Sequence, residues 1–369
     1  MKLLFGLFFV AAILFIACEQ NRHSTNNVYQ NTLKQKKAEL HKSGQFVIKE
    51  DSSSFIGRVF NFKFRQGKIV LADVIQPSLF FIDTKGNIVK ILRWKKGEGP
   101  GEIKRIGEFE ILNDRIYISD NVNLRWSVFD TSGNFIKTTR IFKDTKSKNN
   151  ASYYDGGKMV GWGNKLFNCI VEVKYDREFN QHKSKSIAII DTTLVIEKVF
   201  GFMDEIYSRF RIYILAPAMT IDKNGFIYYT QRPTYKIYKY DSNGNYLKVF
   251  GVKGRFRVID EDLPRNLSYD EINKKSKKFS STEGLFSSPK GYILHQFVEL
   301  NDKFFETRSF IDRINYLKVY DLEGNYINSE IKLPGVLMTI DEEGKLYIYE
   351  KDEPGNRIIG VYEIKFIDD

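Results

Sequence analysis

Asp83-Thr-Lys-Gly86-Asn87, Asp130-Thr-Ser-Gly133-Asn134, Asp241-Ser-Asn-Gly244-Asn245 and Asp321-Leu-Glu-Gly324-Asn325 are one turn written four times, each between two runs of β-forming residues. Asp at the first position caps the backbone N–H groups of a type I hairpin turn. Gly at the fourth accepts the positive φ that closes it. A second tight turn lies about twenty residues before the first, ahead of a strand with an Ile-Tyr or Leu-Tyr core. It occurs at Gly67, Asn113, Gly163, Gly225, Gly291 and Gly344. The turn after the strand pair is degenerate in the third unit, at Asp191-Thr-Thr-Leu194, and near Glu363 in the last. Two tight turns per unit define four antiparallel strands, and a period of about 40–50 residues with four strands is the signature of a propeller. Six units give an all-β, six-bladed β-propeller of four-stranded antiparallel blades.

Ring closure is legible as well. The last unit supplies Val336–Ile340, Leu346–Glu350 and Ile358–Phe366 but no fourth strand, and Gln45-Phe-Val-Ile-Lys-Glu50 at the front can fill the gap. An N-terminal strand that completes the last blade removes the open edges that invite aggregation. The propeller is therefore expected over 45–369.

The 369 residues, 42% of them hydrophobic and 15% aromatic, suit one large all-β domain. The net charge of +11 fits solubilising Lys and Arg on outer strands. No arginine-rich or RNA-binding aromatic motif accompanies it, so no nucleic acid is expected.

The first residues address the compartment. Lys2 and the apolar stretch Leu3–Ala17 have the length of a signal h-region, too short for a comfortable membrane span. Phe15-Ile-Ala-Cys18 resembles the lipobox of bacterial lipoproteins, with Phe15 in place of the usual Leu. The resemblance implies a signal peptide over 1–17, lipid (palmitate) on Cys18, and anchorage in the cell envelope, on the periplasmic side of the outer membrane or at the cell surface. Residues 18–44 are polar and are expected to be a tether, with Leu33–Leu40 able to form a short helix. Cys169, within Leu166-Phe-Asn-Cys-Ile-Val171, is expected to be a buried, inert core residue.

Ile116-Tyr-Ile-Ser-Asp120, Val128-Phe-Asp130 and Gly133-Asn-Phe135, preceded by Gly97-Glu-Gly-Pro-Gly-Glu102, resemble the NHL-like group of six-bladed propellers. With the lipobox ahead of the ring, the chain resembles the six-bladed propeller lipoproteins of Bacteroidetes-type bacteria. That resemblance implies fold and anchorage and is silent on ligand, because propellers host binding modules and enzymes alike.

Function is expected on the face that carries the loops. Both tight turns fall on one face. The long stretches 95–107, 141–158, 172–186, 200–217, 251–282 and 296–313 fall on the other, the mark of a binding face in a repeat protein. Ser268-Tyr-Asp-Glu271 reads as a capping box that starts a short helix. Arg–aromatic neighbours on this face nominate Trp94, Arg125, Trp126, Arg232, Tyr235 and Phe256 as ligand-binding residues. His23 and His41 lie in the tether, leaving His182 and His295, and no hydrolase motif occurs. Glu108 and Glu110 lie near one inner strand, but Ala216–Ile221 and Gly335–Ile340 offer no matching acids for a calcium site. The expectation is a non-catalytic module for a peptide, glycan or protein partner, without cofactor, metal or catalytic residues. The alternatives are a metal-dependent hydrolase or lactonase in the channel, or a scaffold within an envelope complex.

Overall fold

The computed structural model describes residues 32–33, 36–139, 142–143, 152–173, 184–209, 217–261 and 268–368. Cys18 and His182 lie outside these residues. Six sheets form the blades, each with its strands in the order inner to outer. Blade 1 runs Val59–Arg65, Lys68–Asp73, Ser78–Ile82 and Ile88–Arg93. Blade 2 runs Ile106–Leu112, Arg115–Asp120, Arg125–Asp130 and Phe135–Thr139. Blade 3 runs Ser152–Trp162, Lys165–Val173, Ile187–Asp191 and Ile196–Phe200, with Phe142–Lys143 added at its inner edge. Blade 4 runs Ala218–Ile221, Ile227–Thr230, Ile237–Tyr240 and Tyr246–Phe250. Blade 5 runs Ser280–Ser288, Tyr292–Glu299, Ile314–Asp321 and Tyr326–Lys332. Blade 6 takes Val336–Ile340, Leu346–Lys351 and Ile358–Asp368 from the C-terminus and Lys36–Val47 from the N-terminus. Apolar side chains alternate along these strands, and a cluster of them fills every seam between neighbouring blades. Cys169 is fully buried in the seam of blades 3 and 4, as expected.

The closing strand starts earlier than expected. It pairs Lys36 with Asp368 through to Val47 with Ile358, so residues 36–44 are sheet, not tether, and 33–40 is not a helix. Within a polar composition, Ala38 is buried and Leu40 half-buried while Lys37 and His41 face solvent. That is a period of two, which composition alone conceals. Thr32–Leu33 pairs in parallel with Tyr326–Ile327, at the head of blade 5's outer strand. Past the strand, the buried guanidinium of Arg357 bonds Glu50 and, at 3.1 Å, Asp352, while Ile48 N–H donates to the Arg357 carbonyl at 2.9 Å. The two chain ends are latched together.

The repeated turn is the same object each time. Oδ1 of Asp83 accepts from the N–H groups of Lys85 and Asn87 at 2.9 and 2.8 Å, and Oδ2 accepts from the Asn87 side chain at 2.8 Å. Asp130 and Asp241 repeat this set, and Asp321 repeats its two bonds to Asn325. Gly86, Gly133, Gly244 and Gly324 have φ between 74° and 90°. In blade 3 Leu194 takes this conformation at φ 63°.

In blades 1 to 4 a lysine four residues after the positive-φ residue of the turn reaches into the next blade. Lys90 donates to the Thr131 carbonyl at 2.7 Å, Lys137 to Thr193 at 2.5 Å, Lys198 to Asn243 at 2.6 Å and Lys248 to Glu323 at 2.5 Å. Lys49, just past the closing strand, serves the first turn through Asn87 Oδ1 at 2.7 Å. Blade 5 carries Asn328 at this position, where the following blade has no such turn to meet.

Candidate functional site

The polar interior of the ring is built first by strand alternation. In the inner strand of blade 1, Phe62 and Phe64 stack toward Tyr349 and Tyr347 of blade 6, each pair of rings 5.5 Å apart. Asn61, Lys63 and Arg65 therefore turn to the other side. Lys63 is buried and spans three blades. Its Nζ lies 3.0 Å from Glu110 and 3.5 Å from Glu108 of blade 2, and it donates to the Met159 carbonyl of blade 3 at 2.6 Å. Arg65 donates to Glu110 Oε1 from Nε at 3.0 Å and from Nη2 at 2.8 Å, and Gly161 N–H donates to Glu110 Oε2 at 3.1 Å. Asn61 bonds Glu108, and Lys158 stands 3.9 Å from it. Burial alone would raise the Glu110 pKa, but the Arg65 and Lys63 charges and their hydrogen bonds outweigh it and bring it down to about 2. Both carboxylates that the sequence placed at the axis are thus engaged by cations. They stitch blades 1, 2 and 3 together across the axis.

The link face is where the blades differ. Four of the six nominated side chains are buried, which corrects their assignment to an exposed surface. Trp94 donates from Nε1 to the Gly133 carbonyl at 3.2 Å and lies 4.9 Å from the Phe129 ring. Trp126 belongs to the core between blades 2 and 3. Arg125 holds the glycine-rich link, donating to the carbonyls of Glu98 at 2.6 Å, Gly99 at 3.1 Å and Glu102. Phe256 is fully buried against Phe297, 5.5 Å between ring centroids. Trp126 fills a seam, while Arg125 and Phe256 serve the links for one physical reason. A link must cross the top of its blade, and its carbonyls and apolar side chains need partners beneath it. Arg232 and Tyr235, in the loop Gln231–Tyr235, remain half-exposed.

His295 is a core residue. Thr282 Oγ1 donates its one proton to the Thr234 carbonyl at 2.8 Å, so His295 Nε2, 2.8 Å away, carries the N–H of that pair. Burial, with a smaller contribution from the Lys318 charge, lowers the His295 pKa to about 3, and the ring is neutral.

The link from blade 4 to blade 5 encloses a groove of about 760 Å³. Its lining carries four bases, Lys253, Arg255, Arg257 and Lys278, against two acids, Asp260 and Glu261. Arg255 lies 4.9 Å over the Tyr316 ring and donates to its hydroxyl at 3.2 Å, while 56% of its side chain stays exposed. Arg257 stands 3.5 Å from Glu299 and is 43% exposed. The helix Tyr269–Ser276 that follows has the expected capping box: Ser268 accepts from the Glu271 N–H and Glu271 accepts from the Ser268 N–H. Its Ile272 faces solvent.

At the join of blades 4 and 5, Arg313 grips Glu283 with both Nη atoms, at 3.0 and 2.9 Å. Burial would raise the Glu283 pKa, but the Arg313 charge first and the Arg232 charge second hold it below the ordinary carboxylate range. Sequence reasoning missed Arg313, Glu283, Lys63 and Arg65. The alternation Asn61-Phe-Lys-Phe-Arg65 was the available signal for the last two. Arg313 and Glu283 lie 30 residues apart and carry none.

This architecture is a six-bladed β-propeller, and the comparisons agree. Residues 31–197, less than half of the chain, match the model of the DUF5128 family, described as a 6-bladed beta-propeller. A DUF4221-family member from Bacteroides vulgatus superposes with a TM-score of 0.65 at 14% identity, over 89% of this chain and 99% of that one. A protein from Bacteroides fragilis described as exported gives 0.49 at 11% identity, over 89% and 95%. Virginiamycin B lyase from Staphylococcus aureus gives 0.43 at 9% identity, over 89% and 99%. At 14% identity the likeness to the Bacteroides vulgatus protein shows the fold alone. No curated protein matches the chain.

Proposed function

We propose that this protein is an envelope lipoprotein, anchored through lipidated Cys18, whose propeller is a non-catalytic binding module for a peptide, glycan or protein partner. The observation that carries the reading is the basic groove of about 760 Å³ under the blade 4–5 link, with two half-solvated arginines at its rim. Concave surface with a few fixed polar groups is what ligand sites are made of.

Two measurements test this. Labelled palmitate should enter the wild type and not Cys18→Ser. On a glycan-and-peptide array, Arg255→Ala/Arg257→Ala should weaken binding while Lys85→Ala on the turn face leaves it unchanged. The reverse pattern would put the site on the wrong face. Calcium-dependent ester or lactone turnover would instead favour the channel hydrolase, and a stable stoichiometric partner would favour the scaffold.

A further inference from the structure

The groove under the blade 4–5 link has a basic rim and an apolar floor. Ile259 of the floor is buried, with Val258 and Phe279 half-buried beside it, and the three pack against Met203, Ile206 and Tyr207 of the link that precedes blade 4. The rim keeps its charge. Lys253 and Lys278 are exposed, and their side chains form no hydrogen bond or ion pair among the described residues. Arg255 is laid on the Tyr316 ring and Arg257 stands beside Glu299, yet both side chains stay about half exposed. Of the two acids, Glu261 is held by Lys275, and Asp260 alone is uncommitted among the described residues. Counting the ion-pair partners Lys275, Lys318, Glu299 and Glu330 with the lining, six bases meet four acids, so two positive charges stay in excess.

The rim is also fixed before anything binds. Lys318, buried beneath it, donates to the Val252 and Lys253 carbonyls at 2.6 and 2.7 Å and lies 3.4 Å from Glu330. Burial lowers its pKa to about 8, which leaves it a cation at neutral pH. Glu330 in turn accepts from the Arg255 N–H at 2.9 Å. Gly254 lets it approach, since a Cβ there would collide with the carboxylate. Arg257 is tied to the inner strand of blade 5. Its N–H donates to Ser280 Oγ at 3.0 Å, and its carbonyl accepts from the Ser280 N–H at 2.8 Å. Bases carried on a locked backbone lose little freedom on binding. The ring faces, by contrast, are taken. Arg255 covers Tyr316, which stacks on Phe297 at 5.2 Å, and Phe256 is buried. That leaves Phe279, set in the floor, where it suits an apolar side chain better than the flat face of a sugar.

We infer that the groove receives an acidic peptide segment, with its carboxylates on the basic rim and an apolar side chain on Val258, Ile259 and Phe279. The inference rests on the binding-module reading above and names the ligand class that module selects. Guanidiniums offer paired N–H donors to carboxylate oxygens, and the lysines add point charges beside them. Acidic residues flanking an apolar one match both halves of the groove, whereas a neutral segment leaves the rim charges unanswered.

The test is titration calorimetry on the full chain in detergent micelles at low ionic strength, with end-blocked peptides as probes. These are Asp-Glu-Phe-Glu-Asp, its amide twin Asn-Gln-Phe-Gln-Asn, and Asp-Glu-Ala-Glu-Asp, with an oligogalacturonate of equal charge as the acidic sugar. The acidic Phe peptide should bind about tenfold or more tightly than its amide twin, an advantage that shrinks as salt is added. It should bind about threefold or more tightly than the Ala peptide. Arg255→Gln/Arg257→Gln should cut the acid preference to about threefold or less, while Lys85→Ala on the turn face leaves it unchanged. Phe279→Ala should remove the gain from Phe and keep the acid preference. Thermal melting confirms that each variant is folded, and if Phe279→Ala is not, the Phe and Ala peptides decide that half alone. Equal binding of the acidic and amide peptides, no gain from Phe, or an intact preference in a folded Arg255→Gln/Arg257→Gln would overturn the inference. So would tighter binding of the oligogalacturonate, which would make the ligand an acidic glycan. If an array ligand is still lost in Arg255→Ala/Arg257→Ala alongside such a result, the acidic peptide falls and the binding module stands. If no array ligand depends on the groove, both fall.

Discussion

The turn face and the link face are the two ends of the same six blades, and they are made by opposite means. On the turn face one rule serves every turn between the outer strands: an aspartate caps it and a lysine from the blade before bonds it. On the link face each crossing is held differently. Arg125 gathers three carbonyls over one link, Gln231 pins another, and Arg357 latches the chain ends. The contrast teaches where variation is affordable. The turn face fixes the geometry of the ring, so the link face can differ from blade to blade without loss of the fold.

The sharpest way to break the comparison is to remove the element common to both ends. Deleting residues 36–50 takes the outer strand from blade 6, with Phe46 and Ile48 from the seam and Glu50 from the latch. The melting temperature should fall by at least about 10 °C. A smaller fall in calorimetry would mean that the ring holds without its N-terminal strand.

Next in size is the axis, which belongs to neither face. Lys63→Ala would leave two buried carboxylates short of a cation and should cost about 3–5 kcal/mol in denaturant titration. Glu110 adds a pH signature. Its pKa drops on folding from 4.5 to about 2, so its contribution is complete above 4.5 and disappears as pH falls toward 2. Unfolding curves of the wild type and Glu110→Gln should therefore converge over that window, and parallel curves would remove Glu110 from the stability account.

A lysine of the turn face comes third. Lys198→Met should cost about 0.5–1.5 kcal/mol, and the double variant with Lys90→Met should cost the sum within about 0.5 kcal/mol, because the two sites share no partner. Strong non-additivity would make the turns a coupled network. The smallest effect is expected at the groove. Arg255→Ala and Arg257→Ala should each change stability by no more than about 0.5 kcal/mol, as exposed positions do, while changing binding. A large loss of stability there would assign these arginines to the architecture.

How much of this was legible follows the same division. The turns, the blade count and closure from the N-terminus were readable because a repeat states its rule several times over. The start of the closing strand was misjudged because Lys36–Gln45 hides two inward positions, Ala38 and Leu40, among polar neighbours. The nominated surface was largely wrong because an Arg beside an aromatic is written the same way whether it meets solvent or lies beneath a link. Arg125 and Arg232 both looked like ligand contacts. One is buried and consumed by backbone carbonyls, and the other stays half-exposed. Only the path of the link above each separates them, and the links share no repeated sequence. The lysine after four of the five turns was in plain view, four residues past the residue of positive φ. Its partner lies in the next repeat, where a reading of one repeat at a time does not look.

That lysine gives the ring a direction. Every such contact runs from one blade to its successor, a head-to-tail interface that has no end of its own and would propagate as a helix if the rotation did not close. The lysine series runs through blade 4, since the sequence has Asn328 at the blade 5 position, and Lys49 delivers the contact to the first turn from the N-terminal end of the chain. The same interaction is thus intramolecular only while the N-terminal strand is seated. With that strand displaced, the free turn at Asp83 and the bare edge at Ile358–Asp368 would be complementary surfaces on one molecule, and a second copy could supply the strand as readily as the first. The closing strand therefore bears not only on the stability of the ring but also on whether its edge can take a strand from a second copy.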